Sequence, residues 1–485
     1  MIEPTIYELS QPGRKGVAFP KSDVPAYDLP AGFAREALKL PELSELDVIR
    51  HFTHLSQLNY SIDGGFYPLG SCTMKYNPKI NEEMARLPGL ANAHPLQPIE
   101  TVQGSLYIMY QLQEWLQEIS GLNRVCLSPA AGAQGELVGA LIIKKYHEIN
   151  NAPLRTKILI PDSAHGTNPA TSAMSGFKVV SLPSDARGNV DLEALKAECD
   201  ATLAGLMLTN PNTLGLFDEN VLEVIQLVHE AGGLVYGDGA NLNALLGVVR
   251  PGDLGFDIMH FNLHKTFSTP HGGGGPGSGP VGVSEALAEF LPSPVVTILE
   301  KGDEETPPFF GFYTPQHTIG RMKAFYGHFG MHIRAYTYIA MHGPAGLRDI
   351  AQKAVLNANY LMAQIKEDYT LAYDRTCMHE FVVEGAWEDL PDIHALDISK
   401  RLMDYGYHPP TNYFPLIVHE ALMIEPTETE SKQTLDAFVK AMKAIAREAR
   451  EDPDLLRTAP HNTPVRRCDE VKAARDLVLC CWMPE

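Results

Sequence analysis

A chain of 485 residues that is 45% hydrophobic holds enough apolar surface for a sizeable core and two domains. Its net charge of −20 excludes a basic nucleic-acid or anionic-membrane surface, and no apolar run approaches membrane-spanning length or a signal-peptide core, so a cytoplasmic enzyme is expected. The seven cysteines (Cys72, Cys126, Cys199, Cys377, Cys468, Cys480 and Cys481) include no Cys-x-x-Cys pair, which favours reduced thiols over a disulfide frame or a zinc site.

Residues 1–41 are rich in proline, glycine and isolated charges, without periodicity, and read as an extended arm lying along another surface. Leu46, Val48, Ile49, Phe52 and Leu55 predict an amphipathic helix over 44–58. The segment Tyr67-Pro68-Leu69-Gly70-Ser71-Cys72-Thr73-Met74-Lys75-Tyr76-Asn77-Pro78 is compact and dense in small polar residues, and Asn92-Ala93-His94-Pro95 continues the irregular stretch. A helix is predicted over 102–119, from Leu106, Met109, Tyr110, Leu112 and Leu116. A short strand at 124–127 then leads into Ser128-Pro129-Ala130-Ala131-Gly132-Ala133-Gln134-Gly135-Glu136 and a helix over 137–147. Small residues at a helix start admit a phosphate to free N–H groups; the same residues also suit an ordinary strand-to-helix turn.

Strands at 157–160 and 204–208 end in Asp162-Ser163-Ala164-His165-Gly166-Thr167-Asn168-Pro169 and Thr209-Asn210-Pro211-Asn212-Thr213, respectively. A helix over 221–231, stopped by Gly232-Gly233, leads into a strand that ends at Asp238-Gly239-Ala240-Asn241. A further apolar run from Phe256 delivers Lys265 to a strand end, with a glycine loop from His271 to Gly279 directly after it. Alternating strands and helices imply a largely parallel sheet, whose carboxyl ends converge on one ligand crevice. A lysine at such a rim is by itself unremarkable. Beside the carboxylate of Asp238 it suggests pyridoxal phosphate, which pairs a lysine imine with an acidic partner for its ring nitrogen.

After Gly279 the pattern changes. A short helix over 284–290 is followed by an aromatic, irregular stretch from Phe309 to Arg321 and an aromatic helix over 325–339 interrupted by Gly327 and Gly330. A helix over 349–365, a strand at 380–383, a helix over 393–405 and strands at 415–418 and 421–424 follow. A capping box of Thr427 with Glu430 is expected to open the last long helix, which carries Leu435, Phe438, Val439, Met442 and Ile445 on one face. The tail from Asp454 is expected to be irregular. The expected division is an N-terminal arm and helix (1–55), a large cofactor-binding domain (56–342) and a small C-terminal α+β domain (343–485).

The motifs Tyr67 to Lys75, Asp162 to Pro169, Asn262-Leu263-His264-Lys265-Thr266-Phe267 and His271 to Gly279 together resemble the P protein of the glycine cleavage system. The chain is most similar to subunit 2 of the two-subunit form of this glycine dehydrogenase (aminomethyl-transferring). The resemblance implies an aspartate-aminotransferase-like, fold-type I large domain with a mainly parallel sheet, plus a smaller C-terminal domain. It implies pyridoxal 5'-phosphate, glycine as substrate, a lipoylated H protein as acceptor of the aminomethyl group, and a separate subunit 1 in an α2β2 heterotetramer. Carried over by position, Lys265 is the Schiff-base lysine and Asp238 the partner of the pyridine nitrogen. His165 stacks on one ring face and Ala240 packs on the other. The amides of Gly132, Ala133 and Gln134 hold the phosphate, Thr213 meets the ring hydroxyl, and His264 shuttles a proton or orients the lysine. Cys72 is expected to pack rather than react. A substrate without a side chain is selected by exclusion, and the loops around Ser71, His94 and Phe312 are the candidate wall. The glycine loop is a candidate lid. An aminotransferase shares the Asp–Lys logic but uses an arginine for the substrate carboxylate, for which Arg321 is the candidate; a silent assembly subunit has no need of Asp238, His165 and Lys265 together. A nucleotide binder would carry Gly-x-Gly-x-x-Gly after the first strand, which is absent.

Overall fold

The computed structural model describes residues 3–30, 32–34, 38, 40–270 and 277–479, which fall into two compact units, 66–458 and the terminal segments 1–65 with 459–485. The larger unit is built on a seven-stranded sheet. Its strands are β1 (Arg124–Cys126), β2 (Lys157–Pro161), β3 (Lys178–Leu182), β4 (Leu203–Thr209), β5 (Leu234–Gly239), β6 (Ile258–Phe261) and β7 (Val281–Val283). They lie in the order β1-β7-β6-β5-β4-β2-β3, and only β7 runs against the others.

Both faces of this sheet are covered, which is why its central strands are apolar without polar alternation. Ile158 and Ile160 of β2, Met207 of β4 and Tyr236 of β5 pack with Val138, Ile142 and Ile143 of the helix Gly132–Ile149. Their neighbours Leu159, Leu206, Leu208 and Val235 pack on the opposite face with Val221, Val224, Ile225 and Val228 of the helix Val221–Glu230. Parallel strands so covered deliver their carboxyl ends to one rim, where Asp238 and the turn after β6 both lie.

β8 (Val295–Glu300) and β9 (Phe309–Tyr313) form an antiparallel pair. The aromatic stretch read as irregular therefore begins with a strand, whose Phe310 is buried against Tyr107 and Tyr110. The helix expected from 325 starts at Phe329, because Phe325 (φ 61°) and Gly327 (φ 92°) take left-handed conformations. It runs to Ile365, kinked at Gly343 and Pro344.

A second, antiparallel sheet comprises β10 (Phe381–Glu384), β11 (Thr411–Asn412) and β12 (Ala421–Ile424), in the order β10-β12-β11. Phe381 and Val383 face Leu435, Phe438, Met442 and Ile445 of the helix Lys432–Glu451, whereas Val382 and Met423 face Leu214 and Leu216 from the segment after β4. Residues 415–418, expected as a strand, form a turn instead. Tyr413 and Glu420 flank it with positive φ, and Tyr413 N–H closes it on Ala421 O at 2.8 Å. The capping box of Thr427 with Glu430 is likewise replaced: Ser431 caps the helix, its Oγ accepting from Thr434 N–H at 3.2 Å.

In the smaller unit the helix Glu45–Leu58 opens with a capping box between Ser44 and Asp47. Its described residues before Glu45 hold no helix or strand, and the C-terminal tail carries a short helix, Glu470–Arg475, where an irregular course was expected. No helix among the described residues is long and apolar enough to cross a membrane.

Candidate active site

At the carboxyl rim of the large sheet lies a cavity of about 200 Å³. Lys265, Asp238, His165, Ala240, Gly132, Ala133, Thr213 and His264 all line it, together with Ser71. They arrive from the ends of several neighbouring strands, with Ser71 added from a loop. Asp238 sits in the last turn of β5, and its neighbour β6 ends in Asn262, which opens the short helix Leu263–Thr266 carrying Lys265. Gly132 begins the helix packed beneath them, and His165 follows β2.

Asp238 is buried among donors. Its Oδ1 accepts Ala240 N–H at 3.0 Å, its Oδ2 accepts Asn168 Nδ2 at 3.2 Å, and His260 Nε2 stands 3.4 Å from Oδ1. Burial alone would raise its pKa, but His260, the Ala240 N–H, Lys265 and Asn168 outweigh burial and leave it lowered. This carboxyl is built to stay ionised. His260 is itself fixed by Tyr236 Oη, 2.5 Å from Nδ1, and burial lowers its pKa.

A second carboxyl, Glu136, has the opposite setting. Burial first, and then the Asp238 charge, push its pKa up to about 8. Its Oε1 accepts the Thr167 hydroxyl at 2.8 Å, and Thr167 Oγ1 lies 2.8 Å from His165 Nδ1, so the three form a chain along the wall. The His165 ring also meets the Phe414 edge at 5.6 Å between centroids, and burial lowers its pKa.

The cavity walls fit a phosphate-bearing aromatic aldehyde. No side chain caps the start of the 18-residue helix Gly132–Ile149, so its first N–H groups are available at the cavity end. A Cβ at Gly132 would meet Asn262 Oδ1 at 2.7 Å, and one at Gly135 would meet His260 Cβ at 2.6 Å. Only glycine lets this helix start approach the rim so closely. Thr209 Oγ1 and Glu136 Oε2, on the wall, find no hydrogen-bond partner among the described residues. Such buried groups are normally satisfied, here by whatever fills the cavity. Thr213 donates its hydroxyl proton to Ser163 O, which leaves its oxygen lone pairs to accept.

Several expected residues lie elsewhere. The Gln134 side chain turns back, its Oε1 accepting Ala130 N–H at 2.7 Å and its Nε2 donating to Met322 O at 2.8 Å; only its backbone remains at the helix start. His94 and Phe312 line a separate apolar pocket with Leu106, Met109 and Phe329, so of the candidate wall loops only Ser71 reaches the cavity. Arg321 is exposed, 6.0 Å from the Tyr326 ring centroid, and no arginine lines the cavity among the described residues. Cys72 is exposed as a residue, but its sulfur is turned inward enough for desolvation to raise its pKa against the pull of Lys265, so nothing prepares it as a nucleophile. The lid expected of the glycine loop falls in residues 271–276, outside the described residues. Glu136, His260, Asn262 and Thr209 were not anticipated as site residues; Glu136, Asn262 and Thr209 stand inside the segments singled out in the sequence and His260 just before one, but only the folded rim brings them together at the cavity.

The sheet order, the lysine after β6 and the ionised carboxyl on β5 define the fold-type I class of pyridoxal-phosphate enzymes. A solved structure with this fold, glycine decarboxylase (P-protein) of the glycine cleavage system in inhibitor-bound form, superposes with a TM-score of 0.72 at 22% identity, over 86% of this chain and 93% of that one. The family model for the glycine dehydrogenase C-terminal domain matches residues 350–463. Probable glycine dehydrogenase (decarboxylating) subunit 2 of Alkaliphilus oremlandii is 58% identical over 98% of this chain and 97% of its own length. Its counterpart in Caldanaerobacter subterraneus subsp. tengcongensis is 59% identical over 98% of both chains. The chain belongs to the glycine dehydrogenase (decarboxylating) subunit 2 family.

Proposed function

We propose that this chain is the pyridoxal-phosphate-bearing subunit of a glycine dehydrogenase that decarboxylates glycine and passes the aminomethyl group to the lipoyl arm of an H protein. It works in the cytoplasm with a separate subunit 1, in an α2β2 assembly. The observation that carries this reading is the pairing of Lys265 with an ionised, fully buried Asp238 across one cavity that ends at an uncapped helix start.

Bound pyridoxal phosphate supplies an electron sink for the pair of electrons left when a carboxylate departs as CO2. The chain's own residues do the rest. Asp238 holds a proton on the pyridine nitrogen, because a carboxylate kept ionised by His260 and backbone N–H is a strong acceptor there. The N–H groups of Gly132, Ala133 and Gln134 would hold the phosphate, and Thr213 would accept the ring hydroxyl. His165 and Ala240 would pack on the ring. Lys265 would hold the aldehyde through its Nζ. His264 accepts Ser278 N–H at Nδ1 (3.2 Å), which fixes its ring beside Lys265 as an orienting group. Burial of the wall excludes water, which favours dispersal of the departing charge. The absence of a cavity arginine among the described residues argues against an aminotransferase.

The test is the visible spectrum with pyridoxal phosphate, borohydride reduction with peptide mapping, and then glycine-dependent CO2 exchange with subunit 1 and H protein. A reducible band mapping to Lys265 and exchange of label into glycine are expected. No band, or reduction at another lysine, overturns the assignment.

A further inference from the structure

The cavity wall at Ser71 is held from the far end of the chain. Ser71 N–H donates to Glu380 Oε2 at 2.7 Å, Thr73 N–H donates to Glu425 Oε2 at 3.1 Å, and Thr411 Oγ1 donates to Gly70 O at 2.8 Å. Ser71 (φ 65°) and Thr73 (φ 46°) both take the left-handed conformation that side chains disfavour. Such a conformation persists only where the surroundings over-determine it. Here they do. Glu380 and Glu425 are fully buried, and a Cβ at Gly70 would meet Met423 Cγ at 2.3 Å, so the loop cannot shift toward the small sheet. Asn241, also on the cavity wall, directs its Nδ2 at Glu380 Oε1 (3.5 Å), and Asn243 Nδ2 lies 3.4 Å from Glu425 Oε1.

We propose that Glu380 and Glu425 are positioning residues for substrate selectivity: they fix the Gly70–Thr73 loop so that Ser71 closes the space a substrate side chain would need. Neither carboxyl touches the substrate; each acts through a backbone N–H. The inference rests on glycine being the substrate. Burial, reinforced by the neighbouring carboxyl, raises the Glu380 pKa, and burial raises that of Glu425 to about 7. A protonated carboxyl still accepts an N–H through its carbonyl oxygen, and glutamine reproduces that acceptor in shape and charge. Alanine removes it and leaves the strained loop untied.

The experiment compares the assembled wild-type enzyme with Glu380→Ala, Glu380→Gln, Glu425→Ala, Glu425→Gln and Ser71→Gly. Each is assayed for borohydride-fixable cofactor, and for kcat and KM in CO2 exchange with glycine and with L-alanine. The alanine variants are expected to keep the cofactor, raise KM for glycine more than they lower kcat, and lose at least tenfold in glycine-over-alanine preference. The glutamine variants restore that preference. Ser71→Gly, which suits φ 65° and leaves both carboxyls in place, loses preference in the same direction. Unchanged preference in Ser71→Gly, or glutamine variants as defective as the alanine ones, overturns the proposal. Absence of any glycine-dependent exchange by the wild type overturns the function reading and this inference with it, whereas normal exchange with unaltered preference overturns this inference alone.

Discussion

At the site, two carboxyls that line one cavity with Lys265 are set to opposite charge states, and each setting has a consequence that can be measured. Asp238→Asn preserves shape but removes the charge proposed above to hold a proton on the pyridine nitrogen. It is expected to lower kcat by about 10²–10⁴-fold, the usual scale for a positioned proton-transfer partner, with cofactor still attached to Lys265. Glu136 is the pH-sensitive member. Its pKa is raised from 4.5 to about 8, so the folded protein keeps a proton that the unfolded chain releases. Its contribution to stability therefore falls as pH rises from about 4.5 through 8. Melting curves without added pyridoxal phosphate should show Glu136→Gln gaining on the wild type between about pH 5 and pH 8 and levelling off above that; a constant difference across this range would contradict the assignment. Asp238 and Lys265 were legible in the sequence because one closes an apolar strand and the other follows shortly after one. Glu136 was not, because its meaning depends on a charge that only the parallel sheet brings beside it.

The elements that present these residues are pinned by close approaches and buried ion pairs. The helix Gly132–Ile149 presses on β5 at Gly139, where a Cβ would stand 2.2 Å from the Tyr236 ring. Alanine is the better helix former by about 1 kcal/mol. Overpacking costs typically about 1–3 kcal/mol and more where the neighbour cannot move, so Gly139→Ala is expected to destabilise in denaturant titration. Lys75, fully buried, donates to Thr266 O at 2.7 Å and lies 3.4 Å from Glu428 Oε1, and so anchors the turn that carries Lys265. Lys75→Met strands the Glu428 charge and should cost about 3–5 kcal/mol, with part of it regained in the double variant with Glu428→Gln. Most long elements were readable from periodicity: the helices over 102–119 and 221–231 and the central strands differ from the structure by a residue or two. Those that escaped are short or edge elements. β3 has exposed Lys178 and Ser181 in a five-residue strand, and β7 is three residues after a glycine-rich stretch. The turn at 415–418 misled because Leu416, Ile417 and Val418 have strand composition, whereas Leu416 points to solvent.

Across the whole molecule, the N-terminal segment leaves Phe19 at 91%, Tyr27 at 81% and Phe33 at 81% exposure, an apolar display unusual for a segment with no core of its own. We propose the partner subunit as its cover. Removal of residues 1–41 is expected to leave the Lys265-linked cofactor intact and abolish co-elution with subunit 1 in size-exclusion chromatography. The sequence reading divides the chain at 343, where Gly343 (φ 60°, ψ −179°) breaks the helical path between two helical segments; Phe66 to Thr458 nevertheless forms one compact unit, in which the small sheet packs on Leu214 and Leu216 and grips the Ser71 loop.

That grip also sets a timetable for biosynthesis. Ser71 and Thr73 meet their anchors across 309 and 352 residues of chain. Translation at roughly 5–20 residues per second separates the emergence of Ser71 from that of Glu380 by roughly 15–60 s. The segments of the large sheet emerge well before Glu380 and Glu425 do, so the loop proposed to give selectivity cannot be tied down until synthesis is nearly complete. Long-range closure of this kind is slow, and it makes the C-terminal sheet the step that commits the site to its final form.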